Sequence, residues 1–232
     1  MPTFTIKNRN ILFIHIPKTG GSSIWKWIDQ EVKNVKFYSN QRTESMKVTP
    51  QHLTKRDVAA YLGDSFDYQF AVVRNPYERM ESEFFYRMGL HRKRIDKNCL
   101  AGFSHWVLRQ IDEMRRDKCH CDNHFRRQVE FVDSEVEVFN FESGLEQIAT
   151  VVNEKTGLNS HDRISQHKKS QREPVAWSRR ALYKFNQYYE QDFSAFGYTI
   201  RETPSAVTDS YLDSKFQLKL NTLKALIRTA SK

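Results

Sequence analysis

The chain has no uninterrupted apolar run near the ~18 residues that a membrane-spanning helix needs, which argues against an integral membrane protein of that kind. Its first apolar stretch, Ile11 to Ile16, is too short for the core of a secretory leader and runs straight into glycines, so a soluble, cytoplasmic protein is expected. Cysteine is scarce. Cys99, Cys119 and Cys121 form an odd set without an export signal, which speaks against a disulfide framework and for reduced thiols. No internal repeat, low-complexity tract or recognised nucleic-acid motif occurs, and aromatic and basic residues do not alternate regularly.

What is present bounds the class. Hydrophobic residues at 39% and aromatics at 13% are too many for a disordered chain, and 232 residues suit one compact domain with insertions. Lys and Arg total 37 against 28 Asp and Glu, a net charge of +9 that points to an anionic partner. Charge alone does not choose between nucleic acid, an acidic polysaccharide and a multiply charged nucleotide.

Ile11-Leu-Phe-Ile-His-Ile16 reads as a buried strand, and Ser23 to Val32 as the helix after it, with Trp25, Ile28 and Val32 at helical spacing. A second strand is expected at Tyr68 to Val73, followed by Arg74-Asn-Pro-Tyr77 and a helix to near Met88 with Pro76 in its first turn. A third, Val136 to Phe141, leads into a helix capped by Ser143 and stopping near Gly157. This alternation predicts an α/β fold: a single domain with a mainly parallel central sheet flanked by helices, its ligands beyond the carboxyl ends of the strands. Residues 36–54 and 159–174 read as polar connections, and 102–115 and Val175 to Gln191 as helices. Residues 1–200 form the expected domain; 201–232 form a tail, helical from about Asp209 and docked on the same core.

The loop after the first strand carries the chemistry. A glycine-rich turn at a helix N-terminus exposes N–H groups that no intrahelical carbonyl takes, and the helix dipole adds positive potential. Gly20 and Gly21 allow close backbone approach, Thr19, Ser22 and Ser23 add hydroxyls, and Lys18 adds a full charge. An ATP-type loop has the order G-x-x-x-x-G-K-[ST], whereas here the lysine precedes both glycines and the loop is shorter. Where a metal-dependent phosphotransferase would place an acid, the strand ending at Val73 delivers Arg74, and Ser82 follows two turns into the next helix. A guanidinium and a hydroxyl there make a second anion site.

Ile16-Pro-Lys-Thr-Gly-Gly-Ser-Ser23 resembles the 5′-phosphosulfate loop of sulfotransferases, and Arg74-Asn-Pro-Tyr-Glu-Arg79 with Ser82 resembles their 3′-phosphate motif. The style of both is similar to the carbohydrate sulfotransferases, including the chondroitin, dermatan, HNK-1 and heparan 2-O enzymes. Similarity continues to Asn186-Gln-Tyr-Tyr-Glu-Gln-Asp-Phe-Ser-Ala-Phe-Gly-Tyr198. The resemblance implies a fold related to the nucleotide kinases with their P-loop, and 3′-phosphoadenosine-5′-phosphosulfate (PAPS) as co-substrate with PAP as product. It also implies a carbohydrate or related hydroxyl acceptor, no metal, no nucleic acid and no membrane partner. Animal members are Golgi proteins with a membrane anchor, so this chain resembles a minimal, soluble form.

By the same resemblance Lys18 stabilises the leaving group, and Lys168, Lys169 and Ser170 belong to a region that closes over the nucleotide. Two histidines compete for the role of base. His52 lies between the two anion motifs and resembles the catalytic histidine of the heparan 2-O type by placement, while His124 lies in Cys119-His-Cys-Asp-Asn-His-Phe-Arg-Arg-Gln128, which resembles a family segment near the acceptor. His15 reads as a satisfied core histidine. The spacing of Cys119, His120, Cys121 and His124 is poor for zinc. Arg87, Arg92, Lys93, Arg94 and Lys97 fit an acceptor groove or an ordinary solvated face. Rival readings are a metal-dependent phosphotransferase using Glu142, a non-catalytic glycan binder and a nucleic-acid-binding module.

Overall fold

The computed structural model describes residues 1–29, 32, 35–90, 102–158, 164 and 174–202. Its centre is a four-stranded sheet in the order β1 (Thr3–Ile6), β2 (Arg9–Ile14), β3 (Tyr68–Val73), β4 (Glu137–Asn140). β2, β3 and β4 are parallel, with Ile14 opposite Ala71 and Val73 opposite Asn140. The sheet is therefore mainly parallel, as expected, and mixed only at its β1 edge.

β1 itself was not expected. It pairs antiparallel with β2, Ile6 facing Arg9, across a turn in which Lys7 and Asn8 both have left-handed φ, 47° and 64°. That is the backbone twist of a two-residue hairpin, achieved without the glycine that usually announces one.

The parallel strands read as continuous apolar runs because both faces are covered. Ile11, Phe13, Phe70 and Val72 pack on one side against α1 (Gly21–Asp29) and α5 (Leu145–Thr156), through Ile24, Trp25, Trp27, Ile28, Ile148 and Val152. Leu12, Ile14, Ala71 and Val73 pack on the other with Leu53, Phe131 and Val58 of α2 (Lys55–Leu62). A capping box opens α2, Thr54 and Asp57 each bonding the other's backbone N–H, a Thr-x-x-Asp signal readable in the sequence but not used above.

A third cluster is helical and holds the bodies of α3 (Pro76–Leu90) and α4 (Phe103–Arg116) against α6 (Arg179–Tyr188) and α7 (Glu190–Phe196). Phe103, Val107, Ile111 and Met114 form the apolar stripe of α4. The single helix expected over Val175 to Gln191 is instead two helices, α6 capped by Ser178, with a break at Tyr189. The break lets Tyr189 donate to Phe125 O and lets Asp192 accept from the amides of Gln128 and Val129. Ser143 does not cap α5 either; Phe141–Ser143 is a 3₁₀ turn, Gly144 is the N-cap, and the helix stops at left-handed Gly157. The expected C-terminal tail helix lies outside the described residues.

Phe185 is fully buried among Tyr77, Trp177 and Tyr189. Truncation to alanine is expected to cost about 3–5 kcal/mol in urea unfolding, and a loss below 1 kcal/mol would show that this cluster is not a packed core.

Candidate active site

β2 and β3 are adjacent and parallel, so the loops after Ile14 and Val73 emerge side by side at one end of the sheet. In the first loop the carbonyl of Gly20 takes the N–H groups of Ser23 and Ile24, leaving the amides of Thr19, Gly20, Gly21 and Ser22 without a carbonyl acceptor among the described residues. These amides sit at the start of α1, where the helix dipole favours negative charge. The Thr19 hydroxyl donates to Ile16 O and fixes the turn.

Both glycines are required by the protein itself. Gly20 has φ +88°, and a Cβ there would sit 2.8 Å from the Phe141 ring; a Cβ on Gly21 would overlap the ring of His15. Phe141 joins the two sequence motifs, because its ring also meets the Arg74 guanidinium, 4.6 Å from the ring centroid. Arg74 also pairs with Glu78 at 2.9 Å, while its Nε is buried with no partner among the described residues. Ser82 is buried two turns into α3. The helix is tied to the loop by Arg79, whose side chain donates to Pro17 O, Arg126 O and His124 O at 2.9, 2.8 and 2.9 Å. Sequence reasoning quoted Arg79 within the motif and assigned it nothing, although its alkyl stem and fork suit such a three-carbonyl clamp.

Lys18 adopts a left-handed φ of 70° and rests its ammonium 3.9 Å from the centroid of Tyr86 on α3. From there a chain of rings crosses the site. Tyr86 stacks on His124 at 6.0 Å, His124 meets His52 edge-on at 4.8 Å, His52 meets His15 at 5.3 Å, and His15 faces Tyr38, which stacks on Trp25. The structure thus brings both candidate bases together beside the loop.

Each of the two is held by a carboxylate. His52 Nδ1 donates to Asp122 Oδ2 at 2.7 Å, and Asp122 also accepts from the Thr49 amide at 2.6 Å and the Thr49 hydroxyl at 2.7 Å. His124 Nδ1 donates at 2.8 Å to Glu83, which is only 1% exposed and ion-paired to Arg87 at 2.6 Å. Burial alone would raise the Asp122 carboxyl, but the bonds from His52 and Thr49 outweigh it and hold the group well below its ordinary range. Glu83 is likewise lowered, burial being outweighed by His124 and Arg87. Burial pushes His52 below its ordinary value, with Asp122 opposing.

Asp122 is presented by unusual backbone. Cys121, Asp122 and Asn123 have φ of 52°, 60° and 62°, three left-handed residues in succession, where such residues normally occur singly at a cost of about 1–2 kcal/mol each. Bonds over-determine the turn. In addition to Asp122, the fully buried Asn123 donates to His52 O at 2.9 Å.

His15 departs from expectation. It lies just past β2, is 95% buried, and its Nδ1 has no partner among the described residues, so it is not a satisfied histidine. Burial and then the neighbouring His52 hold its pKa well below the ordinary value. His52, Asp122 and His124 offer ligand atoms within 4.8 Å of one another, but the carboxylate already serves His52 and Thr49. Cys121 and His120 are 3.3 Å apart, and His120 bonds Gln110. Arg87 is ion-paired to Glu83, and Arg92, Lys93, Arg94, Lys97, Lys168, Lys169 and Ser170 lie outside the described residues.

A lysine-bearing loop at a helix N-terminus, an arginine at the next strand end and two carboxylate-held histidines are groups that can bind an anion and take up a proton. The model of the sulfotransferase family matches residues 1–199, and the chain belongs to that family. No curated protein and no solved structure matches the chain. Family membership makes it a transferase of sulfuryl groups, and no helix among the described residues is long and apolar enough to cross a membrane.

Because Asp122 is held below its unfolded value, its bonds contribute stability that is full above about pH 5 and lost as pH falls from there toward the depressed folded value. The stability gap between wild type and Asp122→Asn in urea unfolding is therefore expected to shrink from about pH 5 to about pH 2. A gap that stays constant would contradict this.

Proposed function

We propose that the chain is a PAPS-dependent sulfotransferase acting on a hydroxyl of a carbohydrate or related small acceptor by in-line displacement. The observation that carries this reading is the meeting of the two anion-binding elements on one ring: Gly20 and Arg74 both lie against Phe141. A donor with two separate anionic groups fits such a pair. The amides of residues 19–22 and Lys18 would hold the 5′-phosphosulfate, and Arg74, with its unpartnered buried Nε, and Ser82 would hold the 3′-phosphate.

The acceptor oxygen attacks sulfur as the bond from sulfur to the bridging oxygen breaks, and PAP leaves. A histidine takes the hydroxyl proton on its Nε2, the Nδ1 being engaged by a carboxylate. Lys18 and the loop amides stabilise the charge that grows on the bridging oxygen.

The rival phosphotransferase would need Glu142 for Mg²⁺. Both Glu142 oxygens are engaged, one by the Asn75 amide at 2.8 Å and one by the Tyr198 hydroxyl at 2.9 Å.

PAP without metal is expected to raise the melting temperature, with about 2.7 kcal/mol of added stability at 100 times its Kd. A response to ATP with Mg²⁺ and none to PAP would overturn the reading. Donor consumption over a panel of glycans and small alcohols would identify the acceptor, and Lys18→Ala is expected to lower kcat by about 10²–10³. Unchanged turnover in that variant would remove the loop from the mechanism.

A further inference from the structure

Two histidines with two carboxylates leave open which pair takes the proton. We infer that Asp122, presented by the left-handed turn Cys121–Asn123, is a positioning residue of the site: it fixes the ring of His52 and supplies the negative charge that meets a proton taken on its Nε2. This rests on the sulfotransferase reading above.

The two pairs look alike in distance, 2.7 Å for His52 with Asp122 and 2.8 Å for His124 with Glu83. They differ in what else the carboxylate serves. Glu83 is ion-paired to Arg87, so its charge is already matched before any proton moves. Of the hydrogen-bond partners of Asp122 among the described residues, only His52 can become positive; the others are the amide and hydroxyl of Thr49. A proton arriving at His52 Nε2 therefore creates an ion pair with a carboxylate whose charge was held ready, which is what a base needs as it becomes an acid.

The position is fixed from both ends. Asp122 grips the imidazole and Thr49, which precedes the 3₁₀ turn Pro50–His52, and Asn123 grips the backbone of His52 itself. Successive left-handed residues place both side chains on the same short segment, and strain of this kind persists where surrounding bonds impose it, often at functional sites. Asp and Asn are among the residues that tolerate the conformation best.

The groups facing His52 are Asp122 and His124 from the 121–124 segment, His15 from the end of β2, and the N-terminal amine of Met1. Asp122 is the anion among them, so its loss has a direction. In the full chain with PAP bound, the ring Cε1–H signal of His52, assigned by its absence in His52→Gln, is followed by NMR across about pH 5 to 8 and below. Asp122→Asn is expected to move the His52 midpoint to lower pH by about one to three pH units. Glu83→Gln is expected to leave the midpoint in place. An Asp122→Asn midpoint equal to or above that of wild type overturns the inference.

With PAPS and the best acceptor of the panel, His52→Gln is expected to lower kcat by about 10²–10⁴. Asp122→Asn lowers kcat more than it changes KM and moves the acid limb of the rate to lower pH, and it adds little in the His52→Gln background. A purely structural aspartate would lower both backgrounds equally and leave the limb where it was. If the chain binds no PAP, the sulfotransferase reading itself fails; if wild type turns over PAPS and Asp122→Asn keeps its rate and acid limb, only the assignment of Asp122 fails.

Discussion

The constraint on which the rest depends is that β2 and β3 are buried on both faces and run parallel. Burying Ile11 and Phe13 on one side and Leu12 and Ile14 on the other leaves no solvent face, so helices must cover both, and each strand must be followed by a crossover. Adjacent parallel strands then release their following loops at the same end of the sheet. The glycine loop and Arg74, some fifty residues apart in sequence, become neighbours for that reason.

At that end the protein uses its own aromatic rings as spacers. Phe141 fills the room that a side chain at Gly20 would take and supports the Arg74 guanidinium; His15 does the same at Gly21. The glycines thus serve packing as well as access: with no Cβ, the start of α1 can lie directly on these rings while the amides of Gly21 and Ser22 meet no carbonyl among the described residues. Arg79, clamped to three carbonyls, holds α3 against both the glycine loop and the segment carrying His124. One buried guanidinium therefore sets the distance between the glycine loop and the segment carrying His124.

Much of this was legible. The apolar runs at 11–16 and 68–73 announced the central strands because continuous hydrophobicity bounded by turn signals is what double-sided burial demands, and Gly20, Gly21 and Arg74 stood at the strand ends. β1 was missed because Lys-Asn is a weak hairpin signal, and the break at Tyr189 because helical periodicity carries through it. Glu83 and Asp122 were passed over because each is an ordinary acid in a charged stretch, and His15 because burial, not sequence, deprives its Nδ1 of a partner.

The sequence by itself determined the α/β alternation, the glycine-rich, lysine-bearing make-up of the loop and the family, since these depend on residue types at fixed local spacing. Which carboxylate meets which histidine was decided only by the tertiary structure. The pairing joins residues 70 and 41 positions apart, through a turn whose left-handed backbone is sustained by bonds to distant segments rather than by local preference.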